Sequence, residues 1–198
     1  MNEEQDNQFL KTKDKIGALL AKQQPISLEL GAGDKKGRDG WKTLDLNPEC
    51  DFPWDLRQGL PFPDASITKI YSSHFLEHLS YREGQVLLEE CLRVLIPGGI
   101  FSVCVPNARL YLEAYLSGKA LDPSQYFRYP PAYNNVSPID YVNYVAYLDG
   151  DHKYMFDQEN LVKILADKGF RNVHLRAFDP KLDIPERDIQ SIYAEGQK

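Results

Sequence analysis

The chain has 198 residues, 42% of them hydrophobic, and this length suits one domain with its own core. Its formal net charge of -6 disfavours a nucleic acid as the main partner, because phosphate binding needs a basic surface. No apolar run is long enough for a membrane span, and the acidic N-terminus does not resemble a signal peptide, so we expect a cytoplasmic protein. The three cysteines form no Cys-x-x-Cys pair, so we expect neither disulfides nor a cysteine metal site.

The N-terminal part of the chain predicts a helix and then a short buried strand. Apolar residues recur on one face of residues 3–22, as in a helix that packs on a sheet. Leu28 and Leu30 belong to an apolar run that follows a proline, which predicts a strand. The strand ends in a turn with Gly31 and Gly33, where glycine allows a ligand to approach the main chain closely.

The region after this turn is unusual for a parallel sheet. An acid, Glu29, lies inside the apolar run, and a buried carboxylate needs a partner, so we interpret it as functional. The polar residues 34–40 lead at once into a second strand, over residues 41–46. A normal crossover contains a helix and about a dozen residues, so we expect the first crossover helix to be shortened. Lys36 stands where a dinucleotide fingerprint needs its third glycine, which favours a ligand without phosphates.

Two acids follow the second and third predicted strands. Asp45 lies at the carboxyl end of strand two, where an acid can accept both ribose hydroxyls of a nucleoside. A turn marked by Asn47 and Pro48 follows directly, so a structural role in that turn is the alternative. Residues 51–57 predict a short third strand, and Asp55 near its end can be a simple loop cap.

Strand four, predicted over residues 67–72, leads into Ser73-His74-Phe75-Leu76-Glu77-His78-Leu79. Two histidines four residues apart at the end of a strand favour a pocket, and His-x-x-x-His also suits a metal ion. No third ligand is evident nearby, so we expect no metal. A capping box over residues 80–83 begins a helix, which Pro97-Gly98-Gly99 ends before a fifth strand over residues 100–105.

Residues 106–155 form an insert rich in tyrosine. Nine of the twelve tyrosines lie between Tyr111 and Tyr154. Tyr141, Tyr144 and Tyr147 recur at helical spacing, as in a small aromatic core or a dimer surface. A substrate cap is the other interpretation, and we favour it, because tyrosine combines an apolar face with a polar tip. The remaining predicted elements are a helix capped by Asp157 and ended by Gly169, and two strands over residues 172–178 and 190–195.

Three stretches of the chain resemble the class I (Rossmann-like) S-adenosylmethionine (SAM)-dependent methyltransferases, in particular their type-11 group. They are the glycine turn of residues 27–34, the Leu76-Glu77-His78-Leu79 segment, and the helix-to-strand turn over residues 92–99. The resemblance implies an α/β fold with a seven-stranded, mostly parallel sheet, the last strand antiparallel and helices on both faces. It also implies one domain over residues 1–198, with the insert setting the choice of acceptor, and an N-terminal helix that either packs on the sheet or partly covers the cofactor.

The resemblance further implies an enzyme that transfers a methyl group from SAM to a small molecule, such as a sugar or a small aromatic, at oxygen or nitrogen. A SAM-binding protein without catalysis and a nucleotide-dependent oxidoreductase are the alternatives, and either a monomer or a homodimer is compatible with the sequence. Histidine titrates near neutrality, so His152 and His74 are the candidate catalytic bases, with Asp151 less favoured. The candidate cofactor-binding residues are Glu29, Gly31, Ala32, Gly33, Asp45, Leu46, Asp55, Leu56, Ser73, His74 and His78, with Asp55 and Leu56 at the adenine.

Overall fold

The structure, a computed structural model, describes residues 3–129 and 136–198. Within these ranges four strands in succession follow the first helix, and four α-helices in succession follow the fifth strand. The strands are β1 (Ser27–Leu30), β2 (Trp41–Asp45), β3 (Phe52–Pro53), β4 (Ile67–Ser73), β5 (Leu95–Pro106), β6 (Arg171–Leu175) and β7 (Ser191–Gln197). The α-helices are α1 (Glu3–Leu20), α2 (Tyr81–Val94), α3 (Ala108–Ser117), α4 (Pro123–Tyr126), α5 (Ile139–Tyr147) and α6 (Gln158–Asp167).

The seven strands form one sheet in the order β3-β2-β1-β4-β5-β7-β6. The neighbours from β3 to β5 are parallel, and β7 runs antiparallel to both β5 and β6. The predicted seven-stranded, mostly parallel sheet with a reversed last strand is thus confirmed. The strand order reverses between β1 and β4, and ligands of open α/β sheets bind at the carboxyl ends of the strands at such a point.

The connection between β1 and β2 contains no helix, so the crossover helix that we expected to be shortened is absent there. The side chain of Asp51 holds the connection in place of a packed helix. Its Oδ2 accepts hydrogen bonds from the backbone N–H groups of Gly37 at 2.9 Å and Thr43 at 3.2 Å. A neighbouring backbone fills the space beside Gly37, since an added Cβ would lie 2.0 Å from the carbonyl oxygen of Trp41.

The start of β5 differs from the prediction. The strand begins at Leu95, directly after α2, rather than at Ile100. Leu95 pairs with Ile67, and the register then shifts so that Ile100 pairs with Lys69. The Pro97-Gly98-Gly99 segment is therefore an irregularity within the strand, and α2 has already ended when it begins.

The helix ends agree with the local sequence signals. Ser80 Oγ accepts the backbone N–H of Glu83, whose carboxylate accepts the N–H of Ser80, so the predicted capping box of α2 is confirmed. Asp157 caps α6 by accepting the N–H of Asn160 at 2.8 Å. Gly169 follows α6 with φ of 102°, a left-handed conformation that favours glycine. Within the described ranges, no helix is both long and apolar enough to cross a membrane.

The tyrosine-rich segment builds a small core of its own beside the main one. Tyr111, Phe127 and Tyr144 are buried together there, with ring centroids 4.9–6.0 Å apart. Tyr147, by contrast, is exposed. The aromatic-core interpretation therefore holds for part of the segment. Residues 130–135, including Tyr133, lie outside the described part of the chain.

Candidate functional site

A first cavity, cavity A, opens at the carboxyl ends of β2 and β3 and has a volume of about 180 Å³. It brings together five of the predicted cofactor-binding residues, although they come from three separate segments. Phe75 lies beside them and separates the cavity from the glycine turn after β1. The predicted residues that line cavity A are Asp45, Leu46, Asp55, Leu56 and His78.

Asp45 is held firmly by the backbone at the end of β2. Its Oδ2 accepts the N–H of Gly33 and its Oδ1 accepts the N–H of Asn47, both at 2.9 Å. Each oxygen of a carboxylate has two lone pairs, so one acceptor site remains on each oxygen. Leu46 next to it is 53% exposed, an apolar side chain in the lining of cavity A. Both interpretations of Asp45 thus agree with the geometry, because the turn role leaves acceptor capacity for a ligand.

The other two predicted acids have cationic partners. Arg57 forms a fork to Asp55, with its Nε and Nη2 each 2.9 Å from a carboxylate oxygen. These hydrogen bonds lower the pKa of Asp55. Asp55 also caps the short helical turn that follows it, because it accepts the N–H of Arg57. The partner of Glu29 is Lys35, whose Nζ lies 2.8 Å from Oε1.

The glycine turn after β1 is closely packed. Gly31 has φ of 69°, and an added Cβ would lie 2.1 Å from the ring of Phe75. Gly33 has φ of 64° but nothing within 4 Å of the same position. In this structure, therefore, the group that approaches Gly31 closely is Phe75. The predicted cofactor-binding residues that line neither cavity A nor the cavity described next are Glu29, Gly31, Ala32, Gly33 and Ser73.

A second cavity, cavity B, adjoins cavity A and has a volume of about 340 Å³. His78 lines both cavities, so they meet at this side chain. Most residues that line cavity B have polar side chains, and they come from the segment after β4, from the tyrosine-rich segment and from the turn before β7. It includes His74, Glu77, His78, Tyr129, His152 and Arg187.

Each of the three histidines of cavity B is held in place by a hydrogen bond at one of its ring nitrogens. Nδ1 of His152 lies 2.8 Å from the carbonyl oxygen of Val145, and Nδ1 of His78 lies 3.1 Å from that of Asp151. Nε2 of His74 lies 2.8 Å from Oγ of Ser191.

The surroundings of the two candidate bases disfavour a positive charge. Burial lowers the pKa of His74 to about 3, and the positive charge of Arg187 adds to this effect. Burial also lowers the pKa of His152. The backbone of His74 has φ of 50°, a conformation rare outside glycine and often retained at functional sites.

Glu77 is the most unusual group of the site. Its side chain is buried, the whole residue being 1% exposed, and neither carboxylate oxygen has a hydrogen-bond partner within the described residues. Burial raises its pKa to about 8. Oε1 lies 3.5 Å from Nδ1 of His74.

Sequence reasoning did not assign a role to Glu77, Phe75 or Arg187. In the sequence, Glu77 belongs to the family-like Leu76-Glu77-His78-Leu79 segment, and its position between two histidines is the signal that points to it. Phe75 and Arg187 carry no local signal, because only the folded chain brings them to the glycine turn and to cavity B.

Part of the sequence around this site is similar to known methyltransferases. Residues 47–103, which include strand β4, the histidines that follow it and helix α2, match the family model of a methyltransferase domain. A probable SAM-dependent methyltransferase of Mycolicibacterium smegmatis is 44% identical over 57 residues. This match covers 27% of the present chain and 21% of that relative, so it spans about a fifth of the relative's length.

Solved structures share the fold over nearly the whole chain. A SAM-dependent methyltransferase from Archaeoglobus fulgidus superposes with a TM-score of 0.54 at 17% identity, over 94% of each chain. A second one, from Mesorhizobium loti, gives a TM-score of 0.55 at 18% identity, over 91% of this chain and 96% of its own. The resemblance predicted from the sequence is thus confirmed, locally in sequence and over most of the chain in fold.

Proposed function

We propose that this chain is a SAM-dependent methyltransferase that acts on a small polar acceptor bound in cavity B. The observation that carries the proposal is the junction of the two cavities at His78. Cavity A has the acid and the exposed apolar side chain that a nucleoside needs, and cavity B has polar groups for an acceptor. The shared fold and the matched methyltransferase stretch support this assignment.

The residues of cavity A fit the adenosine part of SAM. Asp45 keeps one acceptor site on each oxygen after its two backbone hydrogen bonds, which suits two ribose hydroxyls. The exposed side chain of Leu46 and the buried Leu56 offer apolar surface to an adenine ring. Asp55 can accept the exocyclic amine beside the hydrogen bonds that its carboxylate already accepts from Arg57 and Gln58. When bound, SAM supplies a methyl group on a positively charged sulfur.

The chain's own contribution to the reaction is orientation and the removal of a proton. His152 is the better candidate base, because its Nδ1 bonds to a carbonyl oxygen and its other nitrogen is free to accept a proton. His74 is the weaker candidate, since burial and the charge of Arg187 hold its pKa near 3. Holding an acceptor in line beside its reaction partner can contribute about 7–11 kcal/mol to the lowering of a barrier.

The lining of cavity B favours a hydroxylated acceptor such as a sugar over a small aromatic. Histidine, carboxylate and guanidinium groups make up most of its lining residues, and such groups hydrogen-bond hydroxyls well. Tyr129, Leu148 and His152 bring the tyrosine-rich segment over this cavity. We therefore also propose that residues 106–155 act as a substrate cap within a single domain.

Calorimetric titration with SAM, its demethylated product S-adenosylhomocysteine and NAD tests the cofactor assignment. We expect micromolar binding of SAM and of the product, and none of NAD. Asp45→Ala should abolish this binding, because it removes the acceptors for the ribose. Asp167→Ala is the matched control, since Asp167 is an exposed acid of α6 that pairs with Lys163 away from both cavities.

Each alternative function has its own outcome in this experiment. NAD binding without SAM binding would favour an oxidoreductase and overturn the proposal. SAM binding without product formation against a panel of sugars, amines and phenols would favour a binding protein without catalysis. Failure of both SAM and its product to bind would remove the basis of the methyltransferase assignment.

A further inference from the structure

The floor of cavity B contains a buried carboxylate that nothing in the described chain satisfies. Glu77 is 1% exposed, and both of its oxygens lack a hydrogen-bond donor within residues 3–129 and 136–198. Burying an unpaired carboxylate is costly, and buried charges in proteins are normally paired or bind a metal ion. The position therefore calls for a positively charged or proton-donating partner.

The histidines around Glu77 do not supply that donor. A backbone carbonyl can only accept a hydrogen bond, so Nδ1 of both His78 and His152 must carry the proton. In the neutral ring, Nε2 of each then presents a lone pair. This arrangement is the one that metal-binding histidines adopt, with the second ring nitrogen donating to a backbone carbonyl.

His74 adds a third lone pair to the same place. The hydroxyl of Ser191 donates to the carbonyl oxygen of Arg187 at 2.6 Å, so it accepts from Nε2 of His74. Nδ1 of His74 is then without a proton, and it lies 3.5 Å from Oε1 of Glu77. Four acceptor groups thus face one another, and a cation placed among them would satisfy them together.

We infer that Glu77, His78 and His152 bind one divalent transition-metal ion at the floor of cavity B. One ligand atom from each residue lies within 4.8 Å of the others. Three ligands at about 2.0–2.2 Å from one ion lie about 3.3–3.8 Å apart, so binding requires these atoms to approach one another by at most about 1.5 Å. This assignment departs from the sequence-based expectation of no metal, because the fold brings His152 to the other two from a distant part of the chain.

The ligand types indicate which ions fit. Two imidazoles and one carboxylate suit zinc or iron(II), whereas calcium and magnesium prefer all-oxygen ligands. The positively charged Arg187 lines the same cavity and repels a cation. The free energy of coordination by the three ligands must therefore exceed the cost of this repulsion. Three protein ligands leave coordination positions free toward the cavity, as in catalytic zinc sites.

An open position gives the ion a use in the proposed reaction. A hydroxyl oxygen of the acceptor could occupy it, coordination would lower the pKa of that hydroxyl, and its proton would pass to solvent as the oxygen takes the methyl group and the sulfonium becomes a neutral thioether. Nε2 of His152 then serves as a ligand in place of a base. This use rests on the proposed methyl transfer, but metal binding itself does not.

The test is calorimetric titration of zinc into chelator-treated protein without a histidine tag. We expect one zinc ion per chain, with micromolar or tighter affinity, and a higher thermal unfolding midpoint when zinc is present. Cobalt(II) in place of zinc should give the visible absorption bands of a low-coordinate site with nitrogen ligands. None of these measurements depends on SAM or on methyl transfer, so the outcome is independent of the proposed function.

Matched variants assign the ligands. Glu77→Gln keeps the shape of the side chain, and His152→Ala removes one imidazole; each should weaken zinc binding at least 100-fold. His174→Ala is the control, because Nδ1 of His174 also bonds to a backbone carbonyl, that of Asn172, but the residue is exposed on β6 and belongs to no cluster. Undiminished binding in Glu77→Gln, or no zinc binding to the unmodified protein, would overturn the proposal and leave Glu77 as a buried neutral acid.

Discussion

The two cavities lie side by side at the carboxyl ends of the strands, yet they differ in whether their acidic groups have partners in the protein. Near cavity A, Glu29 is paired with Lys35 and Asp55 with Arg57, and Asp45 accepts two backbone N–H groups. In cavity B, the carboxylate of Glu77 has no donor within the described residues. The acids near cavity A thus have partners without a ligand, whereas cavity B contains several hydrogen-bond acceptors close together.

This difference follows from how the two cavities are built. The partners near cavity A lie close along the chain, in one turn after β1 and one after β3. The groups of cavity B come from the segment after β4, from the tyrosine-rich segment and from the turn before β7. A cavity assembled from distant segments keeps an unsatisfied buried acid only where a function offsets the cost. We therefore expect substitutions around cavity A to change cofactor affinity and those in cavity B to change turnover.

The largest expected effect lies in cavity B. His152→Gln should lower kcat by about 10²–10⁴-fold, the usual contribution of a positioned proton acceptor, because it removes the lone pair of Nε2, which acts as the base or, in the inferred metal site, as a ligand. The affinity for SAM should stay unchanged, since His152 does not line cavity A. Steady-state kinetics together with calorimetry of S-adenosylhomocysteine measure the two quantities separately. A loss of cofactor affinity instead would show that the division between the cavities is wrong.

The next effect concerns the glycine turn that borders cavity A. Gly31→Ala should destabilise the fold by about 2–5 kcal/mol, because the left-handed backbone is strained and the new Cβ would overlap the ring of Phe75. Gly33→Ala should cost only about 1–2 kcal/mol, since its backbone is left-handed too but the space beside it is open. Urea denaturation measures both. In a Phe75→Ala background the ring is absent, so adding Gly31→Ala should no longer lose the part of the unfolding free energy that the clash costs. If the loss is as large in that background as in the unmodified protein, the clash is relieved elsewhere.

The two cavities also differ in how far the sequence predicted them. Cavity A was predictable, because Asp45 and Asp55 lie near the carboxyl ends of two strands predicted from the sequence, and parallel strands bring their carboxyl ends together. Arg57, however, was not assigned to Asp55, although it lies two residues away. Cavity B was predictable only as separate histidines. The convergence of Glu77 with His78 and His152 depends on the path of the tyrosine-rich segment, which no local pattern encodes.

A smaller effect tests the apolar part of cavity A. Leu46→Ala should weaken SAM binding about tenfold and leave kcat unchanged, because it removes roughly 1.4 kcal/mol of apolar contact with the adenine. Leu46 is already half exposed and belongs to no core cluster, so the fold should tolerate the change. Val86→Ala, at another exposed apolar side chain, is the control and should not alter binding. An effect on kcat alone would place Leu46 outside the cofactor site.

The smallest expected effect concerns the pair of Arg57 and Asp55. Arg57→Leu should lower the unfolding free energy at pH 7 by less than about 1 kcal/mol, because the side chain of Arg57 is 47% exposed and water screens the pair. Hydrogen bonding from Arg57 lowers the pKa of Asp55 in the folded protein below its unfolded value. The stabilisation is therefore fully present above the unfolded pKa and is lost as the pH falls through the folded one.

The two proteins should consequently differ in stability at pH 7 and converge under acidic conditions, in urea denaturation measured across this range. Lys163→Leu, which removes the more exposed pair with Asp167, should show a smaller difference at every pH. A constant difference down to low pH would mean that Arg57 stabilises the turn by packing rather than by charge. Cavity A would then be held by shape, and its contrast with cavity B would rest on Asp45 and Glu29 alone.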